Sequence, residues 1–206
     1  MSALPVLDGK TLSHQEVEAL MRRHNQMLFR AARAILKDDA EAEEAVQDAY
    51  LKAFRAMGTF RGDAKLSTWL VRIAVNEALM RRRRIARGSD VVELQADVSS
   101  TDEGPERAAS RAELRGLLEA RIDALPESYR TVFTLRALEE LTVEETAHAL
   151  DIPEATVRTR FFRARGLLRE ALAQEVDRAM DDAFSFDGER CDRLVASVLA
   201  VLTKEK

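Results

Sequence analysis

Apolar residues recur along this chain at spacings of three and four, which is the period of an amphipathic α-helix. No stretch shows the strict alternation expected of a half-buried β-strand, so the pattern predicts an all-α fold. The first helix is expected to begin after Ser13, which makes a Ser-x-x-Glu capping box with Glu16. Helices are expected over about 14–37, 38–57, 67–88 and 107–124, and again after breaks at 125–128 and 151–154.

Two interruptions of the helical pattern organise the chain. The stretch GTFRGDAKLS (58–67) contains two glycines and indicates a loop. The stretch SDVVELQADVSSTDEGPE (89–106) is acidic and has no period, which is typical of a flexible linker. We therefore predict two small helical domains joined by an acidic flexible linker. The predicted segments are an N-terminal lead at 1–23, a first domain at 24–88, the linker at 89–110, a second domain at 111–172 and a C-terminal extension at 173–206.

Composition narrows the class of protein. The 206 residues are 46% hydrophobic and 33% charged, which suits helices with one buried and one solvated face. The single cysteine, Cys191, excludes an intramolecular disulfide, and the three histidines are too scattered to suggest a metal site. Without a secretory signal or a long apolar run, we expect a cytoplasmic protein with no membrane insertion of its own. No nucleophile–base pair or phosphate loop is visible, so we expect neither an enzyme nor a cofactor.

The formal net charge of −4 hides an uneven distribution. Residues 24–88 contain 13 Lys and Arg against 8 Asp and Glu, whereas residues 89–110 contain 1 against 6. Arginine is concentrated again in TVRTRFFRARGLLREAL (156–172), which contains 5. Because local patches decide nucleic-acid binding, the overall acidic charge does not exclude it.

The arginine-rich stretch forms the second half of a predicted helix-turn-helix. Thr142 and Glu145 make another capping box, so a short helix should follow Thr142. The sequence DIPE (151–154) then breaks that helix, and Pro153 suits the first turn of the next one. In a helix-turn-helix that binds DNA, the second helix lies in the major groove.

The two adjacent phenylalanines of this second helix separate on a helical wheel. Phe161 falls on the buried stripe, whereas Phe162 points outward among arginines. Arginine can bond guanine edges or phosphates, threonine can bond either, and an exposed phenylalanine can contact a thymine methyl. The alternative is an ordinary solvated face, with Phe162 covered by another part of the fold. The stripe comprises Val157, Phe161, Ala164 and Leu168, and the outer positions include Arg158, Thr159, Phe162, Arg163 and Arg165.

The segment FRGDAKLSTWLVRIAVNEALMRRRR (60–84) suggests contact with unpaired bases. Phe60 and the only tryptophan, Trp69, offer ring faces for stacking, and Asn76 can hydrogen-bond a base edge. The four arginines at 81–84 can hold phosphates by a salt-dependent attraction. For Trp69 taken alone, burial in the core is the competing interpretation.

The segment DDAEAEEAVQDAYLKAF (38–54) has two contrasting faces. Small apolar residues share one stripe, and the opposite face is acidic. A nucleic acid would be repelled by the acidic face, which therefore favours a protein partner with a basic surface, although an ordinary solvated face gives the same pattern. The stripe comprises Ala42, Ala45, Val46, Ala49 and Ala53, and the outer face includes Glu44, Gln47, Asp48 and Leu51.

The order of these segments along the chain is itself informative. Segments 38–54 and 60–84, the acidic linker, and LPESYRTVFTLRALEELTVEETAHALDIPEATVRTRFFRARGLLREAL (125–172) together resemble the extracytoplasmic-function sigma factors of bacteria, within the sigma-70 family. The resemblance covers about residues 24–172. It implies a transcription initiation factor with no catalytic activity of its own, which binds core RNA polymerase and promoter DNA and is controlled by an anti-sigma factor.

The resemblance also implies a role for each surface. The acidic face would dock on the coiled coil of the polymerase β′ subunit, the second domain would meet the β flap, and the linker would thread the RNA channel. Segment 60–84 would melt the −10 element, and helix 153–172 would read the −35 element. The implied residues are Glu44, Gln47, Asp48 and Leu51 for the polymerase; Lys52, Phe60, Lys65, Trp69, Arg72, Asn76, Arg81, Arg82, Arg83 and Arg84 for the −10 element; and Arg158, Thr159, Phe162, Arg163 and Arg165 for the −35 element.

The sequence leaves two other functions as alternatives. A conventional helix-turn-helix regulator would bind duplex operators as a dimer, but the Trp–Asn–Arg combination argues against it. A decoy that sequesters an anti-sigma factor would not need its DNA-reading arginines, which are all present. The extension at 173–206 departs from the family pattern. Its amphipathic helix around Leu194 and Val198 is expected either to pack as extra core or to act as a docking or regulatory element.

Overall fold

The structure is a computed structural model that describes residues 6–7, 10–88, 105–181 and 188–204. Most of the described chain is helical, which confirms the all-α prediction. A 3₁₀ turn, Met57–Thr59, and a π-helical turn, Thr134–Leu138, follow the second and fifth helices. The helices are α1 (His14–Leu36), α2 (Asp39–Ala56), α3 (Leu66–Gly88), α4 (Pro105–Asp123), α5 (Glu127–Phe133), α6 (Val143–Leu150), α7 (Glu154–Asp181) and α8 (Glu189–Lys204).

Local sequence explains where several helices begin. In the first predicted capping box, the Ser13 hydroxyl accepts a hydrogen bond from the Glu16 amide, and the Glu16 carboxylate accepts one from the Ser13 amide at 2.8 Å. Thr142 and Glu145 make the same reciprocal pair at the start of α6. Both predicted boxes are therefore confirmed, and they satisfy backbone donors that a helix leaves unpaired.

Two very short strands depart from the prediction that no strand occurs. The strands β1 (Val6–Leu7) and β2 (Lys10–Thr11) pair antiparallel, with Val6 opposite Thr11 and Leu7 opposite Lys10. Each strand has two residues. Alternation of apolar and polar residues needs several residues to be visible, so a ladder of this length leaves no periodic signal.

The core of the first part of the chain lies between α1, α2 and α3, which pack on one another. Alanine dominates the contact surfaces, and small side chains let the helix backbones approach closely. Larger residues such as Leu28, Leu70 and Val71 fill the remaining space and are almost fully buried. The stripe predicted for α2 is confirmed, because Ala42, Ala45, Val46, Ala49 and Ala53 are all buried.

The chain forms two compact units, Met1–Leu168 and Arg169–Lys206. The larger unit contains a first helical group, α1 to α3, and a second helical group, α4 to α6 with α7 as far as Leu168. Contacts of α5 with α1 and of α6 with α3 bring these groups together. The predicted domain boundaries stay predictions; of the linker predicted at 89–110, residues 89–104 lie outside the described residues, and α4 begins at Pro105.

A buried arginine connects the two helical groups. The side chain of Arg130 in α5 donates hydrogen bonds to the carbonyl of Ala34 in α1 at 2.5 Å and to the carbonyls of Asp123 and Leu125 at 2.9 and 2.8 Å. Burial lowers the pKa of Arg130, and the Asp123 carboxylate opposes that shift. The Arg33 guanidinium also donates two hydrogen bonds to the Asp123 carboxylate across the same junction, at 2.8 and 3.2 Å.

The smaller unit contains the last part of α7 and all of α8. Helix α7 extends to Asp181, beyond the predicted domain end at 172, because neither glycine nor proline occurs between Gly166 and residue 181. Four apolar side chains of α8 are about half exposed. They are Leu194, Val195, Val198 and Leu199, which are 50–56% exposed.

Candidate nucleic-acid interface

Helices α6 and α7 form the predicted helix-turn-helix. The turn between them, residues 151–153, includes Asp151 in the left-handed conformation with φ 53°. Val157 and Ala164 of α7 are fully buried, and Phe161 is partly buried. Phe162, the adjacent residue, is 76% exposed. The predicted separation of the two phenylalanines is therefore confirmed, and the alternative that another part of the described fold covers Phe162 is wrong.

The outer face of α7 presents its polar side chains to solvent. Arg158, Thr159, Arg163 and Arg165 are exposed beside Phe162. Within the helix, Arg158 pairs with Glu154 at 2.5 Å, and the Thr159 hydroxyl donates to the Ala155 carbonyl at 2.9 Å. Arg163 makes no ion pair with any described residue. The Arg163 guanidinium and the exposed Phe162 ring on this surface are thus free to meet a ligand.

The inner side of the same helix is held by an arrangement that sequence analysis missed. Phe161 lies 6.2 Å from Phe133 between ring centroids, and the Arg136 guanidinium lies over the Phe161 ring at 5.4 Å. Arg136 belongs to the π-helical turn and also donates to the Leu141 carbonyl. Arg165 approaches the same ring at 5.7 Å. No periodic signal marks a π-helical turn, so only the structure shows that it places Arg136 against the second helix.

A cleft of about 190 Å³ lies at the loop before α3. Phe60 and Trp69 line it, with ring centroids 5.3 Å apart and a tilt of 52° between the rings. Trp69 is partly buried and packs against the core, yet it also borders the cleft, so both interpretations of its role keep structural support. His148 of α6 also lines the cleft. Asn76 lies two turns along α3 and is exposed.

Five of the seven cations that sequence analysis assigned to the −10 element contact carboxylates, and for four of them the partner is a single carboxylate. Lys52 Nζ lies 2.6 Å from the buried Glu77 carboxylate, within the first helical group. The other three carboxylates belong to the second helical group or its turns. These three pairs are Lys65 with Glu145 at 2.8 Å, Arg72 with Asp151 at 4.0 Å, and Arg82 with Glu127.

The pair between Lys65 and Glu145 also affects a helix cap. The Glu145 carboxylate accepts from Lys65 and from the backbone amide of Thr142. These hydrogen bonds, with that from Lys65 the largest influence, hold the pKa of Glu145 below its ordinary value. The carboxylate that caps α6 therefore also holds a cation from the loop before α3.

The four consecutive arginines of α3 differ in their surroundings. Arg83 and Arg84 are exposed and form no ion pair with the described part of the chain. Arg82 contacts Glu127, as given above. Arg81 instead faces α2, where it contacts the carboxylates of Glu41, Glu44 and Asp48. Its side chain is only 14% exposed.

The acidic face of α2 borders an apolar groove. Glu44 and Gln47 are exposed, Asp48 is half-buried, and Leu51 is 47% exposed. The groove lies between α1 and α2 and has a volume of about 640 Å³. Its apolar lining includes Met21, Phe29, Val46, Tyr50, Leu51 and Phe54, with Gln47 at its rim. Burial raises the pKa of Tyr50 to about 12, so its hydroxyl stays neutral and donates to the Met21 carbonyl at 3.2 Å.

No group of three or more His, Cys, Asp or Glu side chains in the described ranges is placed to hold a metal ion. No described helix is both long enough and apolar enough to cross a membrane.

Comparisons with known proteins match both helical groups. The family model for sigma-70 region 2 matches residues 20–88, and the model for sigma-70 region 4 matches residues 115–168. The chain is 42% identical over 144 residues to the RNA polymerase sigma-H factor of Pseudomonas aeruginosa, a match that covers 66% of this chain and 75% of that protein. It is 40% identical over 134 residues to the ECF RNA polymerase sigma-E factor of Escherichia coli, covering 61% and 70%.

Solved structures show the same fold. CnrH, in complex with the cytosolic domain of CnrY, matches with a TM-score of 0.57 and 25% identity, over 79% of this chain and 90% of that one. The sigma factor RpoE of Bartonella quintana, in complex with the anti-sigma factor NepR, matches with a TM-score of 0.62 and 21% identity, over 77% and 98%. At that identity, the second likeness supports the fold alone.

Proposed function

The chain belongs to the extracytoplasmic-function sigma factors of the sigma-70 family, and on that premise we propose how its helices divide polymerase binding and promoter reading. It is an alternative sigma factor, which binds core RNA polymerase and directs transcription initiation at particular promoters. Sigma factors are initiation factors rather than enzymes, and we propose that this chain has no catalytic activity of its own. Its place of action would be the cytoplasm, where core polymerase and the bacterial chromosome are found.

The −35 element is read by α7 in this proposal. Arg158 and Arg163 would bond base edges or phosphates, Thr159 would bond either, and Phe162 would contact a thymine methyl. Arg165 would hold a phosphate at the edge of the site. Support comes from the exposure of all five side chains on the second helix of a helix-turn-helix.

The −10 element is melted and read at the cleft before α3. A flipped base would stack on Phe60 or Trp69, while Asn76 would hydrogen-bond a second base. The resemblance assigns Lys52, Lys65, Arg72 and the arginines at 81–84 to the −10 element, and the arginines could hold phosphates of this strand. Of these, Arg83 and Arg84 are exposed without a carboxylate partner among the described residues, which best suits a phosphate contact.

The polymerase would dock on α2. A coiled-coil helix of the β′ subunit could place its apolar side chains in the groove between α1 and α2, and its basic side chains against Glu44 and Asp48. Gln47 and Leu51 lie at the boundary between the acidic face and the groove. The β flap is the proposed partner of the second helical group, whose α4 exposes Leu114 and Leu118.

Regulation by an anti-sigma factor is part of the proposal, because the chain belongs to a group of sigma factors in which relatives of this fold are found with such partners. We expect the anti-sigma factor to cover the surface proposed for the polymerase, because a covered surface would prevent holoenzyme formation. The anti-sigma factor and core polymerase should then compete for binding to α2.

The observation that carries the proposal is the aromatic cleft formed by Phe60 and Trp69, with the exposed Asn76 two turns further along α3. A regulator that reads only duplex operators has no use for a site that stacks an unpaired base, whereas a sigma factor opens the duplex. The test is run-off transcription with purified core polymerase and fragmented genomic DNA. We expect discrete RNA 5′ ends that share upstream elements and that require the protein. Core polymerase binding without any new 5′ end, or no binding at all, would contradict the proposal.

A further inference from the structure

Arg81 is set apart from the other arginines of α3 by the carboxylates around it. Its guanidinium contacts Glu41 and Glu44, and it lies 3.7 Å from Asp48. Its side chain is 14% exposed, while the side chains of Glu44 and Asp48 are 65% and 45% exposed. A phosphate could reach Arg81 only by displacing carboxylates from a partly buried position. The arrangement therefore suits an internal role better than a contact with DNA.

We propose that Arg81 is a positioning residue of the polymerase-docking face, which holds Glu44 and Asp48 in the geometry that meets core polymerase. This inference rests on the docking role proposed above for α2. It gives the first arginine of the run a different task from that of Arg83 and Arg84.

Helix geometry explains why the acidic face needs such a residue. Glu41, Glu44 and Asp48 follow one another at spacings of three and four, so their side chains lie on one stripe of α2. Like charges at these spacings repel, and an unrestrained carboxylate would turn away into solvent. The planar guanidinium has five donors in a fixed fork, so one arginine can hold several carboxylates at once. Lysine, a point charge on a flexible stem, cannot reproduce that geometry.

The consequence for docking is kinetic. Side chains that are already ordered lose less conformational freedom when a partner binds, which lengthens the lifetime of the complex. Removing the positive charge of Arg81 also makes the face more negative, and a more negative face does not slow the approach of a basic partner. Loss of Arg81 should thus appear in the dissociation rate of the complex and leave association no slower.

The first experiment measures association and dissociation of the full-length protein with immobilised core polymerase, for wild type, Arg81→Gln, Arg81→Lys and Arg87→Gln. We expect Arg81→Gln to dissociate about threefold to tenfold faster with no slower association. Arg81→Lys keeps the charge without the fork and should fail to restore the wild-type rate. Arg87→Gln removes an exposed arginine from the last turn of the same helix and should dissociate like wild type.

The second experiment tests DNA contact directly. With core polymerase in saturating amount, promoter-complex formation is measured over a range of salt concentrations. Arg84→Gln should make the logarithmic salt dependence shallower by about one unit, as expected when one phosphate contact is lost, while Arg81→Gln should keep the wild-type slope. A shallower slope for Arg81→Gln, or a wild-type dissociation rate from core, would overturn the inference.

A further variant covers the case in which Arg81→Gln does not fold, as judged by circular dichroism. Glu41→Gln weakens the contact of Arg81 with Glu41, which is not among the residues proposed to meet the polymerase, and leaves every cation in place. It should dissociate from core about twofold faster or more. A wild-type rate would overturn the positioning role. If wild-type protein itself does not bind core polymerase, the proposed function fails, and that result is distinct from any difference among the variants.

Discussion

The cations around α3 and the cations of α7 differ in what surrounds them. Lys52, Lys65, Arg72 and Arg82 each contact a carboxylate, and three of those carboxylates come from the second helical group. On α7, Arg163 is exposed without such a partner among the described residues, and Arg158 pairs only with Glu154 one turn away. One of the two surfaces proposed to bind DNA is therefore covered in the free protein, and the other is open.

The two surfaces therefore differ in what must happen before they can contact DNA. A carboxylate that is already paired with a cation repels the like charge of a phosphate, so we expect the two groups to separate there before the first helical group contacts DNA. Each exposed ion pair is worth roughly 0.2–1 kcal/mol, so the acidic side chains can be displaced by a polymerase or by DNA. The buried Arg130 contacts are stronger and hold the junction more firmly.

The largest expected effect comes from breaking that junction. Arg130→Ala removes a buried guanidinium and leaves the carbonyls of Ala34, Asp123 and Leu125 without their donor. We expect the free energy of unfolding to fall by about 3 kcal/mol, measured by urea denaturation. Arg87→Ala, at an exposed position of α3, should change it by no more than about 0.5 kcal/mol. Equal stabilities for the two variants would show that the junction does not form in solution.

The second expected effect tests the open surface. Arg158→Ala should reduce discrimination between a cognate and a mutated −35 duplex by ~1–3 kcal/mol, because an arginine on the reading helix bonds base edges. Binding of holoenzyme to the two duplexes measures it. Arg55→Ala, an exposed arginine of α2, provides the comparison. Unchanged discrimination in Arg158→Ala would remove Arg158 from the reading surface.

The third expected effect tests the covered surface. The double variant Glu145→Gln, Asp151→Asn releases Lys65 and Arg72 without altering either cation. Two exposed pairs amount to about 1 kcal/mol, so free protein should bind a single-stranded oligonucleotide of the non-template −10 sequence about fivefold more tightly. Fluorescence anisotropy measures this affinity. The variant Glu154→Gln, which alters a carboxylate of α7 instead, should bind like wild type. An unchanged affinity in the double variant would mean that the carboxylates do not cover the site.

The smallest expected effect is a dependence of stability on pH. The pKa of Glu145 is lowered by folding, so its contribution is present above its unfolded pKa and is lost as pH falls through its folded pKa. At pH 7, Glu145→Gln should lower the free energy of unfolding by up to about 1 kcal/mol. That difference should shrink as the pH is lowered below about 4. Urea denaturation at several pH values measures it, and a constant difference would contradict the ion pair.

Sequence periodicity predicted the parts of the fold that depend on neighbouring residues. The capping boxes at Ser13 and Thr142, the buried stripe of α2 and the outward Phe162 all follow from residues within about three turns of one another. The same reasoning missed β1 and β2 because two residues carry no period. It missed the π-helical turn at 134–138 because that turn has the same apolar pattern as an ordinary helix end.

The site was predictable only in part, for a related reason. Composition and order indicated which residues resemble DNA-contacting ones, but not which acidic side chains lie beside them. Lys65 and Glu145 are far apart in sequence, and no periodic pattern locates such a contact. The arginines at 81–84 show this limit of sequence reasoning best. The sequence RRRR gives no means of telling its four arginines apart, whereas packing places them in three different surroundings.

The most direct test of the covered surface uses the single tryptophan of the chain. Trp69 borders the cleft that His148 of α6 also lines, so the accessibility of Trp69 to a neutral quencher reports whether α6 stays there. Acrylamide quenching of free wild-type protein is compared with that of the Glu145→Gln, Asp151→Asn variant. The account predicts a higher quenching constant in the variant, because the ion pairs hold α6 beside the cleft. Equal quenching constants would contradict it.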